Sequence, residues 1–254
     1  MSSKDSREIF LSVICATRNA AATLPNLLES YKAQRTDETE LIVVDACSAD
    51  STAEVLERYR QYIDGLIVEP DRSIYDAWNK GVSLAQGRFV CFVGADDKIA
   101  PDAITALLSA IHEHNSADYI HGHNIMLRKG RISGLIGRPY TKDILEKYLP
   151  MAHGMSAHRR DWVVNGGGFD VSFKSSGDYD FLLRMRKTMR VVDCQAILVY
   201  VEDAGISRSS IRPILESFRA RQINGVAMVR NFLWTLRGLA GFWIRKIASW
   251  LQRN

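Results

Sequence analysis

The chain has 254 residues, which is enough for one sizeable α/β domain with a well-buried core or for two small domains. Apolar residues make up 46% and charged residues 24% of it, a balance typical of globular proteins that argues against intrinsic disorder. No apolar run reaches the roughly 18 residues of a spanning helix, and the polar N-terminus lacks the apolar region of a signal peptide.

The net charge of +4 is unevenly distributed along the chain. Residues 206–254 contain eight arginines and one lysine against one glutamate, a net charge of +8, so the remainder carries −4. This asymmetry predicts that the C-terminal part contacts an anionic surface, either lipid or nucleic acid.

The four cysteines share no C-x-x-C spacing, and three of them lie in or beside apolar runs typical of strands. We therefore expect reduced, mostly buried thiols in a cytoplasmic protein, and no disulfide framework. The residues are Cys15, Cys47, Cys91 and Cys194.

The first half of the chain alternates strand and helix patterns. Short apolar runs predict strands at residues 10–16, 41–44, 66–68 and 88–93. Helical spacing predicts helices at residues 23–33, 51–62, 74–86 and 101–114. Strands alternating with helices of this length imply βαβ units and a mainly parallel sheet flanked by helices, which binds ligands beyond the carboxyl ends of its strands.

The second half is less regular. Residues 119–126 and 131–136 predict a hairpin around Lys129 and Gly130, and three glycines at 166–168 predict a loop. A helix is predicted at residues 180–188, followed by strands at 191–194 and 197–201. We expect one Rossmann-like α/β domain over residues 1–205 and a helical C-terminal extension over residues 206–254.

The extension has an apolar stripe at helical spacing. Its residues are Phe232, Leu236, Leu239, Trp243, Ile247 and Trp250. Arginines and Lys246 interleave with the stripe, so the pattern predicts a basic amphipathic helix suited to an anionic membrane interface. The alternative is that this helix docks on the protein's own core or on a second subunit of a homodimer. Tryptophan and leucine in the stripe favour lipid over nucleic acid.

Polar residues gather where the predicted topology places a ligand. They are Thr17, Arg18 and Asn19 after the first strand, Asp45, Ser48, Asp50 and Thr52 at the second, residues 71–76 after the third, and Asp96 and Asp97 after the fourth. The first of these turns, residues 17–22, contains no glycine, and the chain has no Walker-type loop. Both facts disfavour a Rossmann dehydrogenase or a P-loop enzyme.

Several sequence blocks resemble the family 2 glycosyltransferases, particularly those that build bacterial surface polysaccharides. The blocks are residues 12–19 (SVICATRN), 43–52 (VVDACSADST), 71–81 (DRSIYDAWNKG) and 87–97, with acceptor-side blocks at 153–160, 168–170 and 178–180. The resemblance spans roughly residues 11–207, and the order and spacing of the blocks make it specific. It implies the GT-A fold and an inverting, metal-dependent glycosyltransferase.

The resemblance also implies a nucleotide-sugar donor, with UDP as the expected nucleotide. Asp45 would accept a hydrogen bond from the base and Thr17 would line the same pocket. Asp76 and Lys80 would approach the ribose and the diphosphate, although Asp45 as a helix cap and Lys80 as a solvated lysine are the alternatives. The implied substrate-binding residues are Thr17, Arg18, Asn19, Asp45, Ser48, Asp76, Asn79, Lys80, Asp96, His153 and Arg208.

The resemblance assigns Asp97 to a metal ion, Mn2+ or Mg2+, and Asp96 to the ribose or the sugar. Such ions favour oxygen ligands and bind one or two carboxylates together with phosphate oxygens. The bound metal stabilises the leaving diphosphate as a Lewis acid. His121 and His123 share a strand face, but no further ligands follow at useful spacing, which disfavours zinc.

Asp178 is the predicted general base for the acceptor hydroxyl. Family members often have Glu-Asp at this place, whereas this chain has Gly177-Asp178. Asp180 is the alternative base, and capping of the next helix is the alternative role of Asp178. The expected acceptor is a glycan or a polyprenyl-diphosphate-linked glycan at the inner face of the cell membrane. A non-catalytic nucleotide-sugar or glycan-binding protein on the same fold is the alternative function.

Overall fold

The computed structural model describes residues 8–202 and 210–251. Within these ranges the strands are β1 (Leu11–Thr17), β2 (Thr39–Asp45), β3 (Gly65–Val68), β4 (Phe89–Gly94), β5 (Lys98–Ile99), β6 (Tyr119–Arg128), β7 (Arg131–Ile136), β8 (Ala157–Arg159) and β9 (Val191–Glu202). The helices are α1 (Leu24–Lys32), α2 (Thr52–Arg58), α3 (Ile74–Leu84), α4 (Ala103–Glu113), α5 (Lys142–Lys147), α6 (Arg160–Asn165), α7 (Gly177–Met185), α8 (Arg212–Ile223) and α9 (Met228–Leu251).

The strands form one nine-stranded sheet in the order β3-β2-β1-β4-β8-β6-β9-β5, with β7 paired to β6. β1 lies between β2 and β4 and runs parallel to both, and β3 continues this parallel part beyond β2. β8 is antiparallel to β4 and β6, whereas β6 and β9 are parallel. The predicted α/β architecture is confirmed, but the sheet is mixed beyond β4.

Both faces of the sheet are covered, because the central strand β1 is apolar on both sides. Val13 and Cys15 belong to one buried cluster with α1 and α4, whereas Ile14 belongs to a second with α3 and α7. Gly81 lets α3 approach β1 closely, since a Cβ atom there would lie 2.4 Å from Ile14 Cγ2. Helix α3 is therefore fixed against the strand that leads into the predicted site.

The predicted elements of the first half agree closely with the structure, except that the helix predicted at 51–62 ends at Arg58 and is followed by a short 3-10 turn. The hairpin β6–β7 is confirmed. The helix predicted at 180–188 begins earlier, at Gly177. The two strands predicted after it are one strand, β9, which is irregular near Gln195, where φ is +53°. The short elements β5, β8, α5 and α6 have no counterpart in the sequence pattern.

The C-terminal part folds as two helices, α8 and α9. Ala220 of α8 is buried in the same cluster as residues of α7, so α8 packs directly on the α/β domain. The predicted domain boundary between residues 205 and 206 lies outside the described residues and stays a prediction.

In helix α9 polar side chains are buried and an apolar stripe is exposed, which is the reverse of a helix packed on an apolar core. Asn231 and Thr235 are buried and accept hydrogen bonds from Arg221 of α8. The predicted apolar stripe points outward: Phe232 is 55%, Leu236 47%, Trp243 52% and Ile247 56% exposed, and Leu239 is half-buried. The side chain of Trp250 lies outside the described part. Among the described helices, none combines the length and the apolar character needed to cross a membrane.

Candidate active site

A cavity of about 490 Å³ lies at the carboxyl ends of β1 and β4, and its size suits a small ligand. Four of the predicted residues line it, namely Thr17, Arg18, Asn19 and Asp96. The cavity therefore lies at the sheet edge where the topology predicts a ligand.

Thr17 ends β1 and lines this cavity, and its hydroxyl group is buried. The residue is 4% exposed, and within the described part of the chain its Oγ1 atom has no hydrogen-bond partner. Buried hydroxyl groups are almost always paired in native proteins. The unpaired hydroxyl is therefore a candidate contact for a polar ligand.

Asn19 and Ser48 join the turn after β1 to the turn after β2. The Asn19 N–H donates to Ser48 Oγ at 2.8 Å, and the Ala49 N–H donates to Asn19 Oδ1 at 2.8 Å. Asn19 adopts a positive φ of 50°, which asparagine tolerates better than most residues. This explains how the turn forms without glycine.

Asp45 ends β2 but does not line the cavity in this structure. Ser48 donates to both of its oxygens, through N–H at 2.9 Å and through the hydroxyl at 2.5 Å. The carboxylate therefore holds the turn that follows β2. Each carboxylate oxygen can accept a second hydrogen bond, so contact with a base remains compatible with these bonds.

Asp76 and Lys80 of α3 belong to a network of charges rather than to the cavity wall. Lys80 Nζ lies 2.5 Å from Asp71 and 3.0 Å from Glu69, and these acids hold its pKa above the usual value despite the opposing effect of burial. Burial raises the pKa of Asp76, but hydrogen bonds from Arg72 outweigh it and bring the pKa below its usual value. Both predicted ligands are thus already paired.

Arg72 is a lining residue that sequence reasoning missed. Its N–H donates to Asp76 Oδ2 at 2.9 Å, while its side chain is 72% exposed and faces the cavity. It lies within the block at 71–81, in which the resemblance implies Asp76, Asn79 and Lys80 as the substrate-binding residues. The block contains two cations, Lys80 and Arg72, and the position of Arg72 directly after Asp71 could have indicated a second phosphate ligand.

Asp96 and Asp97 both fold over Gly94 at the end of β4. A Cβ atom at Gly94 would lie 2.7 Å from Asp96 Oδ1 and 3.1 Å from Asp97 Oδ2. Asp96 is exposed and lines the cavity, whereas Asp97 is 9% exposed and accepts the Gly94 N–H at 2.9 Å. Burial, with a smaller effect from Asp96, raises the pKa of Asp97 to about 7.

These two carboxylates fit a hard divalent cation. Within residues 8–202 and 210–251, no group of three or more His, Cys, Asp or Glu side chains is arranged to hold a metal by itself. Mg2+ and Mn2+ do not require such a group, because one or two carboxylates and the phosphate oxygens of a nucleotide complete their coordination. The carboxylate oxygens of Asp96 and Asp97 beside Gly94 match that type of metal site.

Asp178 lies in the first turn of α7, whose N-cap is Ser176, so Asp178 is not the capping residue. Its Oδ1 accepts a hydrogen bond of 3.1 Å from the hydroxyl of Tyr75 on α3. Burial, and then the charge of Asp178, raise the pKa of Tyr75 well above its usual value, so the tyrosine stays a donor. The half-buried carboxylate of Asp178 is thereby oriented next to helix α3.

Gly177 explains the departure from the Glu-Asp pattern. A Cβ atom at this position would lie 2.8 Å from both Cδ2 and Cε2 of the Tyr75 ring. The ring that orients Asp178 therefore occupies the space a glutamate side chain would need.

Asp180, the alternative base, is engaged in structural contacts. Its side chain is 3% exposed and lies 3.3 Å from Arg184. Asn224, at the end of α8, donates to it at 2.8 Å. These bonds tie α7 to α8 and favour Asp178 over Asp180 as the base.

His153 and Asn79 are two further predicted substrate-binding residues, and each contacts a neighbouring aromatic residue. The His153 ring stacks on Trp78 at 5.1 Å, and its Nε2 atom is buried without a partner in the described part of the chain. Burial lowers the pKa of His153, with the Asp178 charge acting in the opposite direction, so the ring is neutral. Both polar atoms of the Asn79 amide bond the backbone of Phe169, at 2.8 and 2.9 Å, so Asn79 positions the loop before α7. Arg208 lies outside the described residues.

Comparison with known proteins identifies the sequence family. The model of the family "Glycosyl transferase family 2" matches residues 12–160. A PGL/p-HBAD biosynthesis glycosyltransferase of Mycobacterium bovis (strain BCG / Pasteur 1173P2) is 30% identical over 253 residues, covering 96% of this chain and 98% of the relative.

Solved structures share the fold. S. aureus TarS 1-349 in complex with UDP-GlcNAc is 21% identical with a TM-score of 0.69, covering 91% of this chain and 72% of that one. The mannosyltransferase PcManGT from Pyrobaculum calidifontis, in complex with GDP-Man and Mn2+, is 18% identical with a TM-score of 0.65. That match covers 96% of this chain and 76% of PcManGT. Both similarities support the GT-A fold predicted from the sequence.

Proposed function

Because this chain belongs to glycosyl transferase family 2, we propose that it transfers a sugar from a nucleotide sugar, with UDP as the expected nucleotide, to a glycan or lipid-linked acceptor. One observation carries the proposal: the cavity lined by Thr17 and Asp96, the carboxylates over Gly94 and the oriented carboxylate of Asp178 all lie on or beside the elements that bear the family blocks. The TarS complex, whose ligand is UDP-GlcNAc, supports a UDP-sugar donor.

The nucleotide is proposed to occupy the cavity at the ends of β1 and β4. The Thr17 hydroxyl and the side chains of Arg18 and Asn19 face this space, and Asp45 lies behind it at the end of the next strand. Arg72 brings a positive charge to the same wall, where it would meet the diphosphate. Asp76 and Lys80 then act mainly by holding Arg72 and Asp71 in place.

Asp97 and Asp96 are the proposed carboxylate ligands for Mn2+ or Mg2+, together with phosphate oxygens of the donor. When bound, the ion supplies charge neutralisation for the leaving diphosphate. The protein's own contribution is to hold both carboxylates against Gly94, so that the ligands are preorganised at the strand end.

Asp178 is the proposed general base. It takes the proton of the acceptor hydroxyl as that oxygen attacks the anomeric carbon and the bond to the diphosphate breaks, which inverts the configuration. Tyr75 donates to one carboxylate oxygen and leaves the other for the acceptor. The neutral, stacked His153 lies beside the same group and is proposed to contact the acceptor.

The acceptor is proposed to be held at a membrane surface, on the cytoplasmic side. Support comes from α9, which exposes apolar side chains such as Phe232 and Trp243 while its polar residues Asn231 and Thr235 are buried. A surface of this kind needs a covering partner, and the interleaved cations favour anionic lipid over a second subunit. The M. bovis relative is named for the biosynthesis of PGL/p-HBAD, which supports an acceptor in cell-envelope synthesis.

Calorimetric titration tests the donor site. The purified protein would be titrated with UDP-, GDP- and dTDP-sugars, with and without Mn2+, alongside the variants Asp97→Ala and Asp64→Ala. Asp64 is the matched control, because it is a carboxylate paired with Arg35 away from the cavity. We expect one nucleotide class to bind in a metal-dependent manner, and only Asp97→Ala to abolish that binding. Absence of binding by the folded protein would favour the non-catalytic alternative.

A further inference from the structure

A second cavity, of about 970 Å³, lies between β7, the segment after α5, and helices α8 and α9. Four cations line this groove, Arg138, Lys147, Arg221 and Arg237, and no lining residue is acidic. The remaining wall is mostly apolar, with Trp234 its largest side chain. The groove therefore combines positive charge with an apolar surface, which is complementary to an anionic amphiphile.

The positive charge at the base of the groove is buried. Arg221 is 4% exposed and donates to Asn231 Oδ1 at 2.6 Å, to Thr235 Oγ1 at 2.9 Å and to the Lys147 carbonyl at 2.9 Å. All three acceptors are neutral, and within the described residues no carboxylate forms an ion pair with this guanidinium. A buried charge without a counter-charge is costly, so an anion in the groove would stabilise it.

The groove reaches the segments that carry the proposed catalytic groups. Pro213 and Ser217 line it, and both contact the hydroxyl of Ser176, two residues before Asp178. Pro150 also lines it and precedes His153 by three residues, a stretch of chain that spans at most roughly 11 Å. An acceptor held in the groove would thus lie close to the proposed base.

The groove also adjoins the outward apolar face of α9. Arg237 lines the groove, and the exposed side chains of Leu233 and Ile244, four residues before it and seven residues after it on the helix, lie on the same side of α9. If this face lies in the membrane interface, the groove opens at the depth of the lipid head groups.

We propose that this groove binds the phosphate-bearing head group of the acceptor lipid and presents it to Asp178. The inference rests on the proposed function and adds to it a binding site for the lipid-linked acceptor. Arg221, Arg138 and Arg237 neutralise the phosphate, and the apolar wall holds the first part of the lipid chain.

Vesicle binding of the full chain tests the proposal. Three vesicle types would be compared: phosphatidylcholine alone, phosphatidylcholine with phosphatidylglycerol, and phosphatidylcholine with a long-chain isoprenyl diphosphate at equal total charge. We expect the isoprenyl diphosphate to give the strongest binding. Arg237→Glu and Arg138→Glu, both exposed positions, should each weaken that binding about tenfold, as expected for loss of a charge-assisted contact.

Lys246→Glu is the matched control, because it reverses an exposed positive charge on α9 away from the groove. It should weaken binding to all charged vesicles slightly and equally. The proposal is overturned if Lys246→Glu weakens binding as much as Arg237→Glu, or if phosphatidylglycerol binds as well as the isoprenyl diphosphate. Displacement by inorganic diphosphate as effective as by the lipid would also overturn it, in favour of a soluble anion.

Donor titration on the same variants separates this inference from the proposed function. Arg237→Glu and Arg138→Glu should bind the nucleotide sugar as the wild type does. A wild-type protein that binds the donor but does not prefer the isoprenyl diphosphate contradicts the groove alone, whereas a wild-type protein that binds the lipid but no donor contradicts the glycosyltransferase proposal alone.

Discussion

The two halves of the sheet position their functional residues in different ways. In the parallel half, β1, β2 and β4 end at one edge, and Thr17, Asp45 and Asp96 reach the site because the strands end there. In the mixed half, Asp178 and His153 lie on a short helix and a loop that are held by side-chain contacts. The position of the proposed donor site therefore follows from topology, whereas that of the proposed acceptor site depends on individual hydrogen bonds.

This difference implies that single substitutions outside the site should affect the two halves unequally. The start of α7 illustrates the point, because Glu216 of α8 accepts the N–H groups of Lys174, Ser175 and Ser176 at 2.8 to 3.1 Å. No comparable side chain is needed to place the end of β1, which pairs with β2 along its whole length and with β4 from Leu11 to Ala16.

Outside the proposed catalytic and metal-binding carboxylates, the largest effect on activity is expected from Glu216→Ala. The substitution leaves the three N–H groups without their acceptor and frees the turn that orients Asp178. We expect kcat to fall about 100-fold, equivalent to about 3 kcal/mol, with donor affinity unchanged. Steady-state kinetics and donor calorimetry would measure the two quantities. Glu216→Gln retains an acceptor oxygen and should keep most of the activity, and a parallel loss of donor binding would refute the proposed separation of the halves.

A stability effect is expected at the donor site from Asp97→Asn. Burial holds the folded-state pKa of Asp97 at about 7, above the ordinary value of 3.8, so the folded protein binds more protons between these values. Its stability therefore falls as pH rises from about 4 to about 7, and the neutral asparagine removes this loss. In metal-free buffer near pH 8 the variant should be more stable by up to about 4 kcal/mol, and the difference should vanish near pH 4.

Denaturant unfolding at both pH values measures this difference. Asp96→Asn is the matched control, because it removes the same charge from an exposed neighbour and should change stability much less. An equal effect of the two substitutions would show that burial of Asp97 is not the cause.

A smaller effect, on binding, is expected from Arg72→Ala. Removing the cation from the cavity wall should weaken donor binding about tenfold, or about 1.4 kcal/mol, and leave kcat nearly unchanged. Arg58→Ala removes an exposed arginine from the end of α2, outside the cavity, and should bind donor normally. If the two variants bind the donor equally well, Arg72 is not a donor ligand.

The smallest effect is expected from Tyr75→Phe. The ring that packs against Gly177 is kept, and only the hydrogen bond to Asp178 is lost. We expect kcat to fall about threefold, or about 0.7 kcal/mol, with donor affinity unchanged. A change confined to donor affinity would contradict the assignment of this tyrosine to Asp178.

The sequence predicts the first half well, because buried parallel strands and amphipathic helices carry strong periodic signals. Thr17, Asp45, Asp96 and Asp97 could be placed at one edge from the strand ends alone. Periodicity does not specify which of these carboxylates is buried. The structure shows that Asp97 is buried and that its neighbour Asp96 is exposed.

The second half is poorly predicted for a different physical reason. The three-residue strand β8 has too few residues to show a period. The start of α7 is set by Glu216, about forty residues away in sequence, rather than by local propensity. Asn79 was predicted as a substrate ligand, yet its amide holds Phe169, a contact that spans 90 residues. Such tertiary contacts leave no pattern in a single sequence.

The most direct test of the central claim compares Asp178→Asn with Asp180→Asn in donor binding and in sugar transfer. We predict that Asp178→Asn binds the nucleotide sugar and Mn2+ as the wild type does, while its kcat falls by about three orders of magnitude or more. Asp180→Asn should retain transfer, with some loss of stability because its bonds to Arg184 and Asn224 weaken. Transfer by Asp178→Asn at close to the wild-type rate would contradict the account.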